Sequence, residues 1–421
     1  MLDQEPQLKL RWPALRVPNF RRFLVGQTLS LLSNSIQQVG LLWLIYRTSH
    51  SSMVLGVMAF VGSVPAAVVS PLAGVFADRT NPLRIATITQ FLYMVQAFLL
   101  AALAYCNRID GWEVISLICL LGFLNGVDMP MRQILIPQLL HRRQEIGNGV
   151  ALNAMVYDGT RMLGPLLGGL IVAHFAEGPS FIANGLGHFV VLLLFLSIRL
   201  SPQPIAGKQG TVLQDLSLGV RYAAGFWAVR SIFLLSACVS FAGSAYMVLL
   251  PIVAEDVLGG GARGLGLLMS SIGVGAVSGG VYFSLRRNTA GQATLIGIGA
   301  GIFGTGLFLL SLSHALLAAS MAMGLVGFGI MIMMAACNTT LIEITEAGKQ
   351  GRVLSLFTLS YLAVAPIGSL CMGFLASHIG AAQTIALSSV LCLLAALQFS
   401  FRAPHIENLL AHSGGNHHLL R

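Results

Sequence analysis

Two acid–arginine pairs stand inside segments of this chain that are otherwise oily. The first lies in Asn125-Gly-Val-Asp128-Met-Pro-Met-Arg132-Gln133, within an apolar run over about 112–138. Asp128 and Arg132 are four apart, so a helix puts them on one face, with Asn125 beside them. The second pair, Asp158 and Arg161, is three apart in the next apolar run, where Asn153, Tyr157 and Arg161 recur at i, i+4 and i+8. A charge at the centre of a bilayer costs roughly 2.5–3.5 kcal/mol on insertion scales, so such charges persist where they face a cavity or a partner. Asp128 has two readings. It is a proton-binding carboxylate poised by hydration and by Arg132, or half of a fixed ion pair that holds its helix to its neighbours. The second stripe reads as a cavity wall in which Arg161 offers a planar cation to an anionic group such as a carboxylate. The alternative is that Asp158 and Arg161 simply neutralise each other.

Other polar residues extend the pattern. Gln27, Ser30, Asn34 and Gln37/Gln38 share a face of the first apolar run, as uncharged amides on a polar cavity wall or as interhelical hydrogen bonds. His188, with Asn184 four before it, reads as a packed histidine, and Glu343 as a wet helix end. The methionines at 321, 323, 331, 333 and 334 are lipid-facing or core residues that could also adapt to a bulky ligand. The pair His417-His418 is a weak metal signal.

The elements that must hold these groups follow from composition. The chain has 421 residues, 56% hydrophobic and 9% charged, with a mean hydropathy of +0.80. A soluble domain carries roughly 25% charged residues, so this is a polytopic membrane protein. Apolar runs of about 20 residues, rather than alternating ten-residue strands, make the spans helical. Twelve are expected: 21–46, 53–76, 83–106, 112–138, 147–173, 179–198, 230–253, 263–285, 291–312, 315–341, 352–377 and 379–401. With the N-terminus inside, nineteen of the 24 lysines and arginines fall on the cytoplasmic side, Arg47, Arg108 and Arg263 outside, and Arg132 and Arg161 within the membrane. Both termini are therefore expected in the cytoplasm. The net charge of +9 belongs to topology rather than to nucleic acid. The six cysteines all lie in or beside apolar spans, without CxxC or CxH spacing, and read as buried hydrophobes. No cleavable signal peptide is apparent.

The long connection, 199–230, includes an amphipathic stretch over 212–222. It divides the chain into a six-helix bundle over 1–198, a cytoplasmic linker over 199–229, a second bundle over 230–401 and a cytoplasmic tail over 402–421. The halves echo each other: 61–79 aligns with 269–287, and Gly164-Pro165 in the fifth span matches Ala365-Pro366 in the eleventh. Same-sense repeats about the membrane normal are a transporter architecture, with the substrate site near the midplane between halves. The sequence has neither a GxxxxGK[ST] phosphate loop nor a Ser/His/Asp or HExxH arrangement. The expectation is a non-enzyme without cofactors, driven by an ion or solute gradient.

Two motifs carry a family resemblance. Gly74-Val-Phe-Ala-Asp78-Arg79-Thr-Asn-Pro-Leu-Arg84 resembles the loop signature of the major facilitator superfamily, with Asn81 where that family has glycine and Pro82 where a base is usual. Gly164-Pro165-x-x-Gly168-Gly169 is similar to the core of the signature of its antiporters. Asp128-Met-Pro-Met-Arg-Gln133, Leu249-Leu-Pro251 with Gly264-x-Gly266-Leu-Leu268, and Gly351-Arg-Val-Leu-Ser355 through Pro366-Ile-Gly368 resemble enterobactin-type siderophore exporters and macrolide-efflux proteins. That subgroup usually has an aspartate in the first span, where this chain has Ser33-Asn34, leaving Asp128 and Asp158 as the carboxylates available to a proton.

The resemblance implies an all-α fold of twelve transmembrane helices in two pseudo-symmetric bundles. It further implies a cytoplasmic gate of Gly74, Asp78, Arg79, Arg84 and Arg352, with Asp78 facing the start of a helix in the second half. The function implied is proton-driven antiport by a monomer in the bacterial inner membrane, exporting a small amphiphilic metabolite such as a siderophore. Multidrug or macrolide efflux and uptake symport are the alternatives. The partners are the solute, protons and lipid, without nucleic acid or metal.

Overall fold

A computed structural model of the chain describes residues 12–77, 80–106, 111–140, 142–200, 221, 225–286, 291–346 and 349–413. Among them run twelve long helices. The first six are α1 (Pro18–Ser49), α2 (Ser52–Ala77), α3 (Pro82–Tyr105), α4 (Gly111–Leu139), α5 (Arg143–Phe175) and α6 (Gly178–Leu196). The second six are α7 (Trp227–Ile252), α8 (Gly261–Leu285), α9 (Gln292–Leu312), α10 (Leu316–Ile344), α11 (Gln350–Ile379) and α12 (Ala381–Ser413). Each expected span has its helix. The amphipathic stretch of the linker, and Asp78 and Arg79 of the gate motif, lie outside the described residues.

Local chemistry sets the boundaries. α3 begins at Pro82, whose missing N–H costs nothing at a helix start, and Asn81 Oδ1 accepts from the amides of Leu83 at 3.0 Å and Arg84 at 3.3 Å. The Asn-Pro departure from the loop signature is thus an N-cap. α11 and α12 are joined by Gly380 alone, at φ 91°, a conformation that side chains oppose. α12 continues past 401 to Ser413 because Ala403 and Ile406 are buried, and Glu407 accepts from Thr294 N at 3.0 Å over the first turn of α9. After Pro251, α7 loosens into a π-turn, Val253–Val257, closed by Leu258 N to Val253 O at 3.0 Å.

Ten of the twelve helices are long and apolar enough to cross a membrane by length and composition. α1 and α5 fall short, and they are the helices that carry Gln27 through Gln38 and Asn153 through Arg161. Large apolar side chains are exposed on the outer helices, for instance Ile88 and Leu99 on α3, Leu193 and Leu196 on α6, and Phe401 on α12. Lipid contact explains that inverted pattern.

Six connections gather at one end of the helices, here the far end; the N-terminus and the α6–α7 connection lie at the other, the terminal end. The halves meet through α2 against α11 and α5 against α8. Both seams are closed by glycine. A Cβ on Gly169 would stand 2.8 Å from Gly266 Cα, and one on Gly373 2.8 Å from Gly56 Cα, closer than any side chain tolerates. Both pairs sit toward the far end. There too the Tyr46 hydroxyl of α1 donates to Asp256 Oδ1 in the π-turn at 2.5 Å, a hydrogen bond between halves. Gly273 of α8 meets the backbone of Arg161 and Met162 at mid-length.

Candidate functional site

The first pair is sealed. Asp128 and Arg132 are 6% and 5% exposed, inside the bundle of α1, α3, α4 and α6. One turn of α4 brings Arg132 Nε to 2.5 Å from Asp128 Oδ2. The remaining donors reach α1, with Nη1 to Gln27 Oε1 at 2.5 Å and Nη2 to Ser30 Oγ at 2.9 Å, and Phe195 of α6 lies 5.4 Å from the guanidinium. Asp128 Oδ1 accepts from Thr89 Oγ at 2.7 Å and Gln90 Nε2 at 3.0 Å, both on α3.

That arrangement determines the next side chain. An ionised Asp128 only accepts, so Gln90 must turn its amide NH2 to it and its Oε1 to His188 Nδ1, 2.8 Å away. His188 therefore donates from Nδ1, while Nε2 faces Asn34 Oδ1 at 3.0 Å. Tyr93 stacks on the imidazole at 4.8 Å and donates to Asn125 Oδ1 at 2.7 Å. A second amide cluster joins Gln37 to Gln96 at 3.1 Å and to Asn184 at 2.6 Å.

The polar face of α1 is thus divided. Gln27 and Ser30 are buried on Arg132, half-buried Asn34 meets His188, Gln37 joins the amide cluster, and Gln38 is exposed. Asp128 and Arg132 form a buried ion pair, a geometry that both readings share. Sequence reading passed over Thr89, Gln90, Tyr93 and Gln96. Their spacing of roughly one helical turn along an apolar span was a legible stripe.

The second pair is open. Arg161 is exposed, Asp158 and Asn153 are half-buried, and Tyr157 is 38% exposed. Asp158 and Arg161 feel each other's charge, yet no ion pair or hydrogen bond closes between them among the described residues. The guanidinium lies 5.9 Å from the Tyr157 ring. Asn153 Oδ1 is buried without a partner.

The backbone at Arg161 lies against α8 of the other half, where a Cβ on Gly273 would stand 2.6 Å from Arg161 O. Tyr246 in α7 and Tyr361 in α11 are within range of the Arg161 charge. Ser240 Oγ donates to the backbone carbonyl of Tyr361 at 2.7 Å, and Phe303 packs edge-on against the ring of Tyr246 at 6.1 Å. No motif announced these two residues of the second half.

The antiporter-type motif does three separate jobs. Gly164 meets Ser35 of α1, Gly168 lets Ile36 Cα of α1 within 3.0 Å of a would-be Cβ, and Gly169 forms the seam with α8. Pro165 is buried inside α5. Of the gate residues, Arg84 and Arg352 are exposed at the terminal end; Gly74 belongs to α2, and its surroundings, like Asp78 and Arg79, lie outside the described residues.

Known proteins share this framework. The staphyloferrin A transporter of Staphylococcus aureus is 24% identical over 380 residues, 90% of this chain and 95% of that one. The multidrug resistance protein MdtG of Salmonella arizonae is 30% identical over 196 residues, 44% of this chain and 45% of that protein. A crystal structure of a POT family transporter in complex with 5-aminolevulinic acid superposes with a TM-score of 0.74 at 12% identity, over 92% of this chain and 96% of that one. The last likeness concerns the fold alone. The profile of the transmembrane secretion effectors matches residues 10–418. With that match over nearly its whole length, the chain belongs to this family of major facilitator transporters: it is a multi-pass protein of the bacterial cytoplasmic membrane that moves a small molecule, and not an enzyme.

Proposed function

We propose that the transporter is a proton-driven antiporter that exports a small amphiphilic or polar metabolite with an anionic group, a siderophore fitting best. The observation that carries this reading is the pair Asp158 and Arg161 on α5, half-buried and exposed, with no ion pair closed between them among the described residues, where α5 meets α8 of the other half. Siderophore traffic in the Staphylococcus aureus relative supports the solute class. The antiporter-like motif around Gly164 supports the coupling.

The basic loops put the terminal end in the cytoplasm. In this reading the far-end seams close the outside, and the cycle starts from an inward-facing state. Solute enters between the halves, docks at Arg161 and displaces a proton from Asp158. Asp128 is the weaker carrier, since its carboxylate already accepts from Arg132, Thr89 and Gln90. The halves then rock. The latch of Asp78, Arg79, Arg84 and Arg352 forms at the cytoplasmic end, the outer seams part, solute leaves, and an external proton reloads the acid.

Everted membrane vesicles test this. Asp158→Asn abolishes transport that depends on a pH gradient; if Asp158→Asn and Asp128→Asn both retain it, the carboxylate scheme falls. Multidrug efflux is the second reading, favoured by the match to MdtG. Inhibition of the flux by many unrelated lipophilic cations would select it.

A further inference from the structure

The open site constrains the charge of the solute. For exchange, proton and solute must exclude each other at one acid. A purely anionic solute on Arg161 does the reverse: it offsets the cation that favours the ionised form of Asp158, so it favours a bound proton and the two travel together. A purely cationic solute can displace the proton from Asp158, but it meets Arg161 one turn along the same helix. Arg161 is the charged group that acts on Asp158; α1, α4, α6, α8 and the 3-10 turn Pro13–Arg16, which pack on α5, bring no other to it among the described residues.

Resting on the antiport reading above, we infer that the solute is zwitterionic, with its carboxylate on Arg161 and the hydroxyls of Tyr246 and Tyr361, and its ammonium on Asp158. The pair suits this because it is near without being closed. Two opposite charges one turn apart, with no hydrogen bond between them, leave both fixed charges to a ligand that carries the complementary pair. Arg161 provides a planar fork for the carboxylate. The two tyrosines add neutral donors from the second half, so the carboxylate end touches both bundles and the ammonium end only the first. Tyr157, 5.9 Å from the guanidinium, covers one side of the site. The ammonium takes the place of the proton on Asp158: as the amine docks, the O–H bond breaks and the proton leaves to water.

Three probes of equal chain length separate the possibilities: ε-aminocaproate, caproate and hexylamine. Each is added to the purified full-length protein in weakly buffered detergent solution, with thermal stability and a pH-sensitive dye as readouts. The inference expects ε-aminocaproate to raise the melting temperature and to release protons. It expects caproate to stabilise without release, Asp158→Asn to lose the release but keep stabilisation by caproate, and Arg161→Gln to lose both. Tyr246→Phe with Tyr361→Phe lowers the apparent affinity for ε-aminocaproate about tenfold and leaves that for hexylamine unchanged. Arg263→Gln, far from the site, changes nothing.

Full proton release by hexylamine, indifferent to Arg161→Gln, overturns the zwitterion while antiport stands. Proton uptake, rather than release, on binding ε-aminocaproate overturns antiport itself. If the tyrosine variants keep full affinity while Arg161→Gln loses it, the second half has no part in the carboxylate site, and that portion of the inference fails alone.

Discussion

Asp128–Arg132 and Asp158–Arg161 are the same two residue types, about one turn apart on consecutive helices, and they have opposite fates. On α4 the spacing of four closes an ion pair, and α1 and α3 supply Gln27, Ser30, Thr89 and Gln90 to occupy the remaining donors and acceptors. On α5 no ion pair closes between Asp158 and Arg161 among the described residues, and the backbone there lies against α8 of the other half. A buried ion can be kept in a membrane in two ways, by complete satisfaction or by access to water. On α4 this chain uses the first. The first helix is thereby fixed within its bundle, and the second keeps an uncommitted charge where the halves part.

The comparison can be broken by experiment, most forcefully at the sealed pair. Arg132→Met strips Asp128 of its counter-ion in a dry site. Loss of one partner of a buried pair costs about 3–5 kcal/mol, so yield and melting temperature should collapse, whereas Arg161→Gln should shift stability by no more than about 0.5 kcal/mol. Equal effects of the two in a detergent unfolding assay would erase the distinction.

Transport should rank the acids the other way. Asp158→Asn should fold normally and lose gradient-driven flux, while Asp128→Asn should keep any flux in proportion to the protein that survives. Flux per folded molecule decides between them.

The seams give a smaller effect. The methyl of Gly169→Ala has Gly266 Cα and Ala262 O in its way, each at 2.8 Å. Overpacking costs about 1–3 kcal/mol, charged to the far-end-closed state alone. Spin labels across α5 and α8 should show longer far-end distances. Tyr46→Phe removes one hydrogen bond between the halves, worth about 0.5–1.5 kcal/mol, and should move the same distances in the same direction by less. A shift toward closure in either variant would contradict the assignment of this end as shut.

Much of the fold was legible because a bilayer simplifies the code. Twenty apolar residues must become a helix, so the twelve runs gave twelve helices with boundaries close to those expected, except where α12 keeps going on the strength of Ala403, Ile406 and Glu407. The site was only partly legible. Asp128, Arg132, Asp158 and Arg161 announce themselves by cost. Whether each faces protein or water depends on which helix lies opposite, and periodicity within one helix does not contain that. Tyr246 and Tyr361 sit in spans where a tyrosine is unremarkable, and only the approach of the second half gives them a role.

The sequence by itself determined a membrane protein of twelve helices in two related halves, with charges too expensive to be idle, because hydropathy and insertion cost are properties of single segments. The tertiary structure decided which pair is closed and which is not, which glycines close the seams, and that α8 of the second half packs on α5 at Arg161. Those are properties of contacts between segments some 200 residues apart, such as Tyr46 and Asp256, 210 residues apart, and no local pattern in the chain encodes the distance between them.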